Sequence, residues 1–159
     1  MFRGWMVGGL IAGSIAMSAC QSSDAGEAEY ADVMSFDSTT VRIESAADTH
    51  VVKAAIADTQ ERQQQGLMEV TSLPMDQGMI FVYPEMQGTS SGFWMFRTRI
   101  PLDIAFADST GRIVTIRTMQ PCASPNAGVC PTYMPTGRYQ HALEVNAGYF
   151  QSKGVSVGD

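Results

Sequence analysis

Short apolar runs separated by turn residues recur along the chain and predict a fold made mostly of β-strands. Alternation with a period of two residues marks half-buried strands, whereas runs that are apolar on both faces mark strands inside a core. The predicted strands are Thr40–Glu44, His50–Ala57, Met79–Tyr83, Gly92–Phe96, Leu102–Ala107, Arg112–Arg117 and Tyr139–Val145. The fifth and sixth of these flank Asp108–Gly111, which predicts a hairpin turn with a positive φ at Gly111.

Helix signals are few. Thr59 is a good N-cap for a short helix that ends at Gln65, and Gly66 follows as its stop. A second helix is predicted over Ala147–Lys153. Many short strands with two short helices predict an α+β, mostly β fold, a compact barrel-like or rolled sheet of about six to eight strands.

The order of residues at the N-terminus is typical of a secretory signal. Arg3 precedes the uncharged, mostly apolar stretch Trp5–Met17, and two small residues then lead to Cys20. The apolar stretch is shorter than the roughly 20 residues that a membrane-spanning helix requires. We therefore predict a signal peptide at residues 1–19.

The four residues Met17-Ser18-Ala19-Cys20 resemble the bacterial lipobox. This resemblance implies a lipid on Cys20. The small, polar and acidic residues that follow predict a flexible tether, which with Cys20 spans residues 20–39, and the strand signals predict a single β-rich domain over residues 40–159. Gln21 stands where an aspartate would imply retention in the inner membrane, so the resemblance implies the periplasmic face of the outer membrane in a two-membrane cell. The alternative is an ordinary secreted protein in which Cys20 is incidental.

Charge narrows the choice of partners. The chain carries 10 basic and 16 acidic residues, a net charge of −6, and removal of residues 1–19 takes away only Arg3 and leaves 9 − 16 = −7. Since nucleic-acid binding depends on neutralising phosphates with basic side chains, we expect no nucleic-acid partner. The expected partners are the membrane, through the lipid on Cys20, and a small molecule, a glycan or another envelope protein.

Cys122 and Cys130 remain once Cys20 is assigned to lipid. Two thiols eight positions apart, in a loop exposed to an oxidising compartment, favour a disulfide. Free thiols and a metal site are the alternatives, but no cysteine or histidine pair stands nearby in the sequence to complete four ligands. We therefore predict no metal and no other cofactor.

A series of short motifs follows in a fixed order through the domain. They are Glu61-Arg62, Gly66-Leu67-Met68, Gly78–Val82, Phe93-Trp94-Met95, Ile100–Phe106, Gly111-Arg112-Ile113, Met119–Cys122, Ala142–Val145, Ala147-Gly148 and Gly158-Asp159. Together they resemble the domain of unknown function 192 family over roughly residues 50–159. The resemblance implies a small, often exported, β-rich α+β domain with no established activity. Where that family usually has a Lys-Asn pair, this chain has Phe96-Arg97.

Four charged residues form the candidate polar cluster. Asp103 and Glu144 lie on predicted strands and point away from their apolar neighbours, and Arg62 and Arg99 could join them. A pair of carboxylates at the right separation can hydrolyse a glycosidic bond, so a carbohydrate-active hydrolase is one alternative. The others are a ligand site and a structural network in which arginine pairs with the carboxylates.

Trp94 completes the set of candidate site residues. Its apolar neighbours favour a place in the core, and the alternative is a stacking surface that it forms with Phe96 and Tyr83.

Methionine is abundant, and soft thioethers suit Cu(I), so copper binding is a further alternative. The methionines after residue 19 are Met34, Met68, Met75, Met79, Met86, Met95, Met119 and Met134. They are scattered, and those in apolar runs favour simple packing.

The leading hypothesis is therefore a membrane-tethered envelope lipoprotein with a non-catalytic binding domain. Loops on a rigid sheet commonly carry binding residues. We expect the loop between Cys122 and Cys130, together with Gln87–Ser91, to shape one side of the site.

Overall fold

The computed structural model describes residues 35–159. The predicted signal peptide, the lipidated Cys20, most of the tether and Met34 lie outside the described residues. The first strand begins at Ser38, two residues before the predicted start of the domain. Among residues 35–159, no helix is long and apolar enough to cross a membrane.

Eight strands and two short helices follow one another along the chain, and they confirm the α+β, mostly β class. The strands are β1 (Ser38–Glu44), β2 (Thr49–Ala57), β3 (Gln77–Gln87), β4 (Phe93–Trp94), β5 (Leu102–Ala107), β6 (Ile113–Met119), β7 (Thr132–Tyr133) and β8 (Tyr139–Asn146). The helices are α1 (Gln60–Gln65) and α2 (Tyr149–Ser152), with a 3-10 turn at Ala127–Val129.

Six strands form one sheet in the order β1-β2-β3-β8-β5-β6, and β4 pairs with β7 in a separate ribbon. The β2–β3 pair is parallel because α1 lies in the connection between these strands, and the other pairs are antiparallel. Within the described residues β1 and β6 form the two edges of the sheet. The sheet is therefore open over these residues and does not close into a barrel.

The local signals act as the sequence indicates. The side chain of Thr59 accepts a hydrogen bond from the backbone N–H of Arg62 and so caps α1, and Gly66 ends that helix with a φ of 49°. Gly111 has a φ of 90° in the β5–β6 hairpin, a conformation that costs glycine little. The second helix is shorter than predicted, since it spans only Tyr149–Ser152.

Each face of the six-stranded sheet carries its own apolar cluster. Directly paired residues point to the same side, so the register of the strands assigns every side chain to a face. Face 1 carries Met79, Phe81, Ile104, Phe106 and Ala142 and is covered by the loop after α1 and by β4. Face 2 carries Val52, Ile80, Ala105, Leu143 and Val145 and is covered by Tyr149 and Phe150 of α2.

Candidate functional site

Glu144 lies on face 1 in the middle of the sheet. Its neighbours across the two adjacent strands are Met79 of β3 and Ile104 of β5, both fully buried. The alternation of β8 fixes this placement, because Leu143 and Val145 must point into the cluster on face 2. A carboxyl group that is only 4% exposed therefore stands among apolar side chains.

No side chain or backbone group within residues 35–159 makes a hydrogen bond to the Glu144 carboxyl group. Loss of hydration disfavours the charged form of such a group. Burial accordingly raises the pKa of Glu144 from 4.5 to about 8. Because this carboxyl group lines a pocket and has no partner from the protein, it is the first candidate for contact with a ligand.

A small pocket of about 30 Å³ opens beside this carboxyl group, and we call it the Glu144 pocket. It lies between the C-terminal end of α1 and the segment that follows β4. Its lining consists of Gln63, Gln64, Gln65, Gly66, Leu67, Met68, Phe81, Phe93, Trp94, Phe96, Thr98 and Glu144. This volume is far below the roughly 300–1,000 Å³ of a typical small-molecule site, so only a small chemical group can enter the pocket.

Besides Glu144, the side chains in the lining that can form hydrogen bonds are those of Thr98, Trp94 and the three glutamines 63 to 65. Thr98 is buried, and its hydroxyl has no hydrogen-bond partner within the described part of the chain. The amide nitrogen of Gln63 donates to the carbonyl oxygens of Ala57 (3.3 Å) and Val82 (3.1 Å), which leaves the amide oxygen as the remaining polar atom of that side chain. The Glu144 carboxyl group, the Thr98 hydroxyl and the Gln63 amide oxygen can therefore all accept a hydrogen bond from a group that enters this pocket.

Trp94 is 45% exposed, so its expected place in the core was wrong. Phe93 takes that place instead, because the pleat of β4 turns one ring inward and the next one outward. Phe93 packs edge-on against Phe81 with ring centroids 4.8 Å apart. Trp94 and Phe96 lie with ring centroids 5.6 Å apart at the pocket, whereas Tyr83 packs against Tyr139 and does not line it. The predicted stacking surface therefore contains two of its three rings.

A charged clamp holds the wall of the pocket together. Glu69 binds Arg97 (2.6 Å from Nε to Oε1) and Arg99, and its backbone N–H donates to the Arg97 carbonyl oxygen at 2.8 Å. The hydrogen bonds from Arg99 and then Arg97 lower the pKa of Glu69. Glu69 and Arg97 are also the only residues other than glycine with positive φ in the described part of the chain, at 64° and 56°. Arg99 thus belongs to this clamp and not to a cluster with Asp103.

The predicted Cys122–Cys130 disulfide is present, with the two Cα atoms 5.8 Å apart. The backbone N–H of Arg97 donates to the Cys122 carbonyl oxygen at 3.0 Å, so the bridged loop supports the segment that carries Phe96 and Thr98. Immediately after the bridge, β7 pairs with β4 and positions Trp94. The bridged loop therefore contacts the wall of the pocket from behind, and neither this loop nor Gln87–Ser91 lines the pocket, although both were expected to shape one side of the site.

Asp103 lies on face 2, opposite Val145, whereas Glu144 lies opposite Ile104 on face 1. The sheet separates the two carboxyl groups, so the expected cleft between them does not exist and the carbohydrate-hydrolase hypothesis loses its catalytic pair. The Asp103 carboxylate accepts hydrogen bonds from the Thr118 hydroxyl at 2.7 Å and from the Gly148 backbone N–H at 2.8 Å. It joins β5 to β6 and to the start of α2.

Arg62 is also absent from the pocket. Its guanidinium group lies 3.2 Å from Asp58 and 3.6 Å from Asp37, and it stacks on Phe36 with 5.1 Å between the charged carbon and the ring centroid. These contacts hold the start of the domain against α1. The expected single cluster of four charged residues is therefore wrong: Glu144 and Trp94 line one pocket, and the other candidates lie elsewhere.

A groove of about 560 Å³ lies on face 2. Its apolar floor includes Ile80, Ala105, Leu143 and Phe150. Its rim carries the cations Arg42 and Arg112 together with the acidic Glu44 and Asp159. These charges of opposite sign favour no single class of ligand. The groove is larger than the Glu144 pocket. The carboxyl group without a hydrogen-bond partner lies on the other face, however, and the Glu144 pocket is therefore the better candidate for a binding site.

No group of three or more histidine, cysteine, aspartate or glutamate side chains within residues 35–159 could hold a metal ion. Met79, Met95 and Met119 pack in the apolar cluster on face 1, as the packing interpretation predicted. Copper binding by methionines stays an untested prediction.

Comparisons with known proteins agree with this fold. The model of the DUF192 family, described as an uncharacterized ACR, matches residues 41–159. A proposed transcription regulator from Sinorhizobium meliloti 1021 is 30% identical, with a TM-score of 0.70, over 78% of this chain and 92% of that one. A protein of unknown function from Novosphingobium aromaticivorans DSM 12444 is also 30% identical, with a TM-score of 0.65, over 78% of this chain and 84% of that one. No curated protein matches the chain.

Proposed function

The chain belongs to the DUF192 family, and from this premise we propose that it is a non-catalytic binding domain whose ligand enters the Glu144 pocket. The observation that carries the proposal is the Glu144 carboxyl group itself, buried and without a hydrogen-bond partner in the described residues. An incoming group that donates a hydrogen bond would remove a cost that the folded domain otherwise bears. The half-exposed Trp94 offers an aromatic contact for the rest of the ligand.

Binding without catalysis is the function that this arrangement supports best. The pocket contains one carboxyl group, with no histidine, cysteine or lysine in its lining to act as a nucleophile or a second acid–base group. The relative from Sinorhizobium meliloti is described as a proposed regulator of transcription, but the net charge of −6 here disfavours contact with nucleic acid.

The proposal is tested with the full-length protein in neutral detergent micelles. The probes are n-butylamine, n-butyramide and N-acetylglucosamine, which differ in charge and in hydrogen-bonding groups. We expect saturable binding of at least one probe, a loss of at least tenfold in affinity in Glu144→Gln, and unchanged affinity in Glu85→Gln, whose exposed carboxyl lies on β3. Absence of saturable binding by all three probes would contradict the proposal.

We further propose that the domain works in the cell envelope, anchored by lipid on Cys20, most suitably at the periplasmic face of the outer membrane. The signal-like N-terminus and the Cys122–Cys130 disulfide support this address, because structural disulfides persist in oxidising compartments. Metabolic labelling with an alkyne fatty acid should mark the wild-type protein and the Cys122→Ser, Cys130→Ser double variant, but not Cys20→Ala. Label that survives in Cys20→Ala would refute lipidation at this residue.

A further inference from the structure

We propose that the Glu144 pocket selects a primary alkylammonium group, the cationic end of a small amine or of a lysine side chain. This inference rests on the proposed binding function and names the chemical class of its ligand. An alkylammonium carries three hydrogen-bond donors and no acceptor. The pocket offers acceptors for these donors in the Glu144 carboxylate, the Thr98 hydroxyl and the amide oxygen of Gln63, whose amide hydrogens are already used.

The aromatic side chains of the pocket fit the same ligand. Trp94 and Phe96 line the pocket, and a cation over the face of a tryptophan ring is attracted by the electron density of that face. The rings also offer apolar surface to the alkyl chain that follows the charged group. The aromatic rings thus favour the same alkylammonium group as the carboxylate and the hydroxyl do.

Size then restricts the choice among cations. A pocket of about 30 Å³ favours a small cationic group, and a primary ammonium carries no methyl group on its nitrogen. A trimethylammonium group adds three methyl groups, and a guanidinium is a broad planar fork, so neither fits without movement of the walls. The charged clamp of Glu69 and two arginines resists that movement. We therefore expect primary amines to bind at least tenfold more tightly than their trimethylated counterparts.

Binding of an alkylammonium group should release a measurable amount of protons. With a pKa of about 8, Glu144 is mostly protonated at pH 7, and an ammonium bound beside it favours the carboxylate. Binding should therefore release about 0.9 proton at pH 7 and only about 0.1 at pH 9. No other charged group lines the pocket within the described residues, and Tyr83, which interacts electrostatically with Glu144, stays protonated because burial raises its pKa.

The test is isothermal titration of the full-length protein in neutral detergent, in two buffers of different ionisation enthalpy. The probes are n-butylamine, n-butyltrimethylammonium and n-butanol, and Nα-acetyl-lysine methylamide separates a lysine side chain from a small free amine. We expect saturable binding of n-butylamine with the stated proton release, and binding at least tenfold weaker for the trimethylated probe and in Glu144→Gln. Equal binding of the two cations, or n-butylamine binding that Glu144→Gln leaves unchanged, overturns the inference.

A second pair of variants keeps the inference falsifiable if Glu144→Gln alters folding. Phe96→Lys places a tethered ammonium at the pocket and should abolish n-butylamine binding, whereas Phe96→Met, of similar length without charge, should weaken the binding through loss of the ring but leave it saturable. Retained n-butylamine binding in Phe96→Lys contradicts the inference. If n-butyramide binds in a Glu144-dependent manner and n-butylamine does not, the inference fails while the proposed binding function stands. If no probe binds, both fail.

Discussion

Replacing Glu144 with glutamine should make the folded domain more stable at neutral pH and abolish one component of its pH dependence. Burial raises the pKa of this carboxyl group from its ordinary value of 4.5 to about 8 in the folded protein. A group with a raised folded-state pKa contributes its stability in full below pH 4.5, and that contribution is lost as the pH rises to about 8. The loss amounts to about 1.4 kcal/mol for each pH unit inside this window. Between pH 4.5 and pH 7 it reaches roughly 3 kcal/mol.

Urea titrations of the full-length protein and of Glu144→Gln between pH 4.5 and 8.5, followed by circular dichroism, measure this difference. The quantity of interest is the free energy of unfolding of the variant minus that of the wild type. We expect this difference to increase by roughly 3 kcal/mol between pH 4.5 and 7 and to level off above pH 8. Glu85→Gln serves as the matched control, because that carboxyl is exposed, and its difference from the wild type should stay constant. A constant difference for Glu144→Gln as well would refute the assignment of Glu144 as a buried carboxyl without a partner.

Three further predictions concern parts of the fold that frame the pocket, each measured by urea titration at pH 7. Asp103→Ala removes the acceptor of two hydrogen bonds and should cost about 3 kcal/mol, and a loss below 1 kcal/mol would contradict its structural role. The Cys122→Ser, Cys130→Ser double variant should lose about 2–3 kcal/mol through the freed loop, with stability unaffected by reductant, unlike the wild type. Gly78→Ala places a Cβ atom 2.3 Å from a backbone oxygen of β8 and should cost about 2 kcal/mol, whereas Gly88→Ala, with nothing nearer than 3.7 Å, should cost little.

The sequence predicts the elements of this fold well, because its strand and cap signals are local. Thr59 and Gly66 bound a helix in isolation, and the hairpin around Gly111 requires no distant contact. The closure of the sheet is a different kind of property. It depends on whether β1 pairs with β6, and the alternation of apolar and polar residues within a strand does not indicate which strand pairs with it. The form of the sheet was therefore the part of the architecture that the sequence could not specify.

The residues of the site were likewise predictable only where they depend on local sequence patterns. Alternation correctly placed Asp103 and Glu144 opposite their own apolar neighbours, but the face of the sheet each occupies depends on how β5 and β8 align. A shift of one residue in this register would have brought both carboxyl groups to the same side. Thr98 and Gln63 were missed as lining residues for a related reason. Each is an ordinary polar residue in its own segment, and only packing against the sheet turns it towards the pocket.

The backbone conformation of Arg97 depends both on the residue itself and on contacts with distant parts of the chain. A left-handed backbone at a residue other than glycine is uncommon, and asparagine adopts it more readily than arginine. The position holds an asparagine in the pattern that the family resemblance supplies, and here it holds an arginine with a φ of 56°. The ion pair with Glu69 and the hydrogen bond to Cys122 fix this conformation from two sides. The neighbouring change to Phe96 leaves an apolar ring beside the unpartnered carboxyl group of Glu144. The one departure from the family pattern thus falls on the wall of the pocket, and that is where we expect ligand preference to differ between relatives.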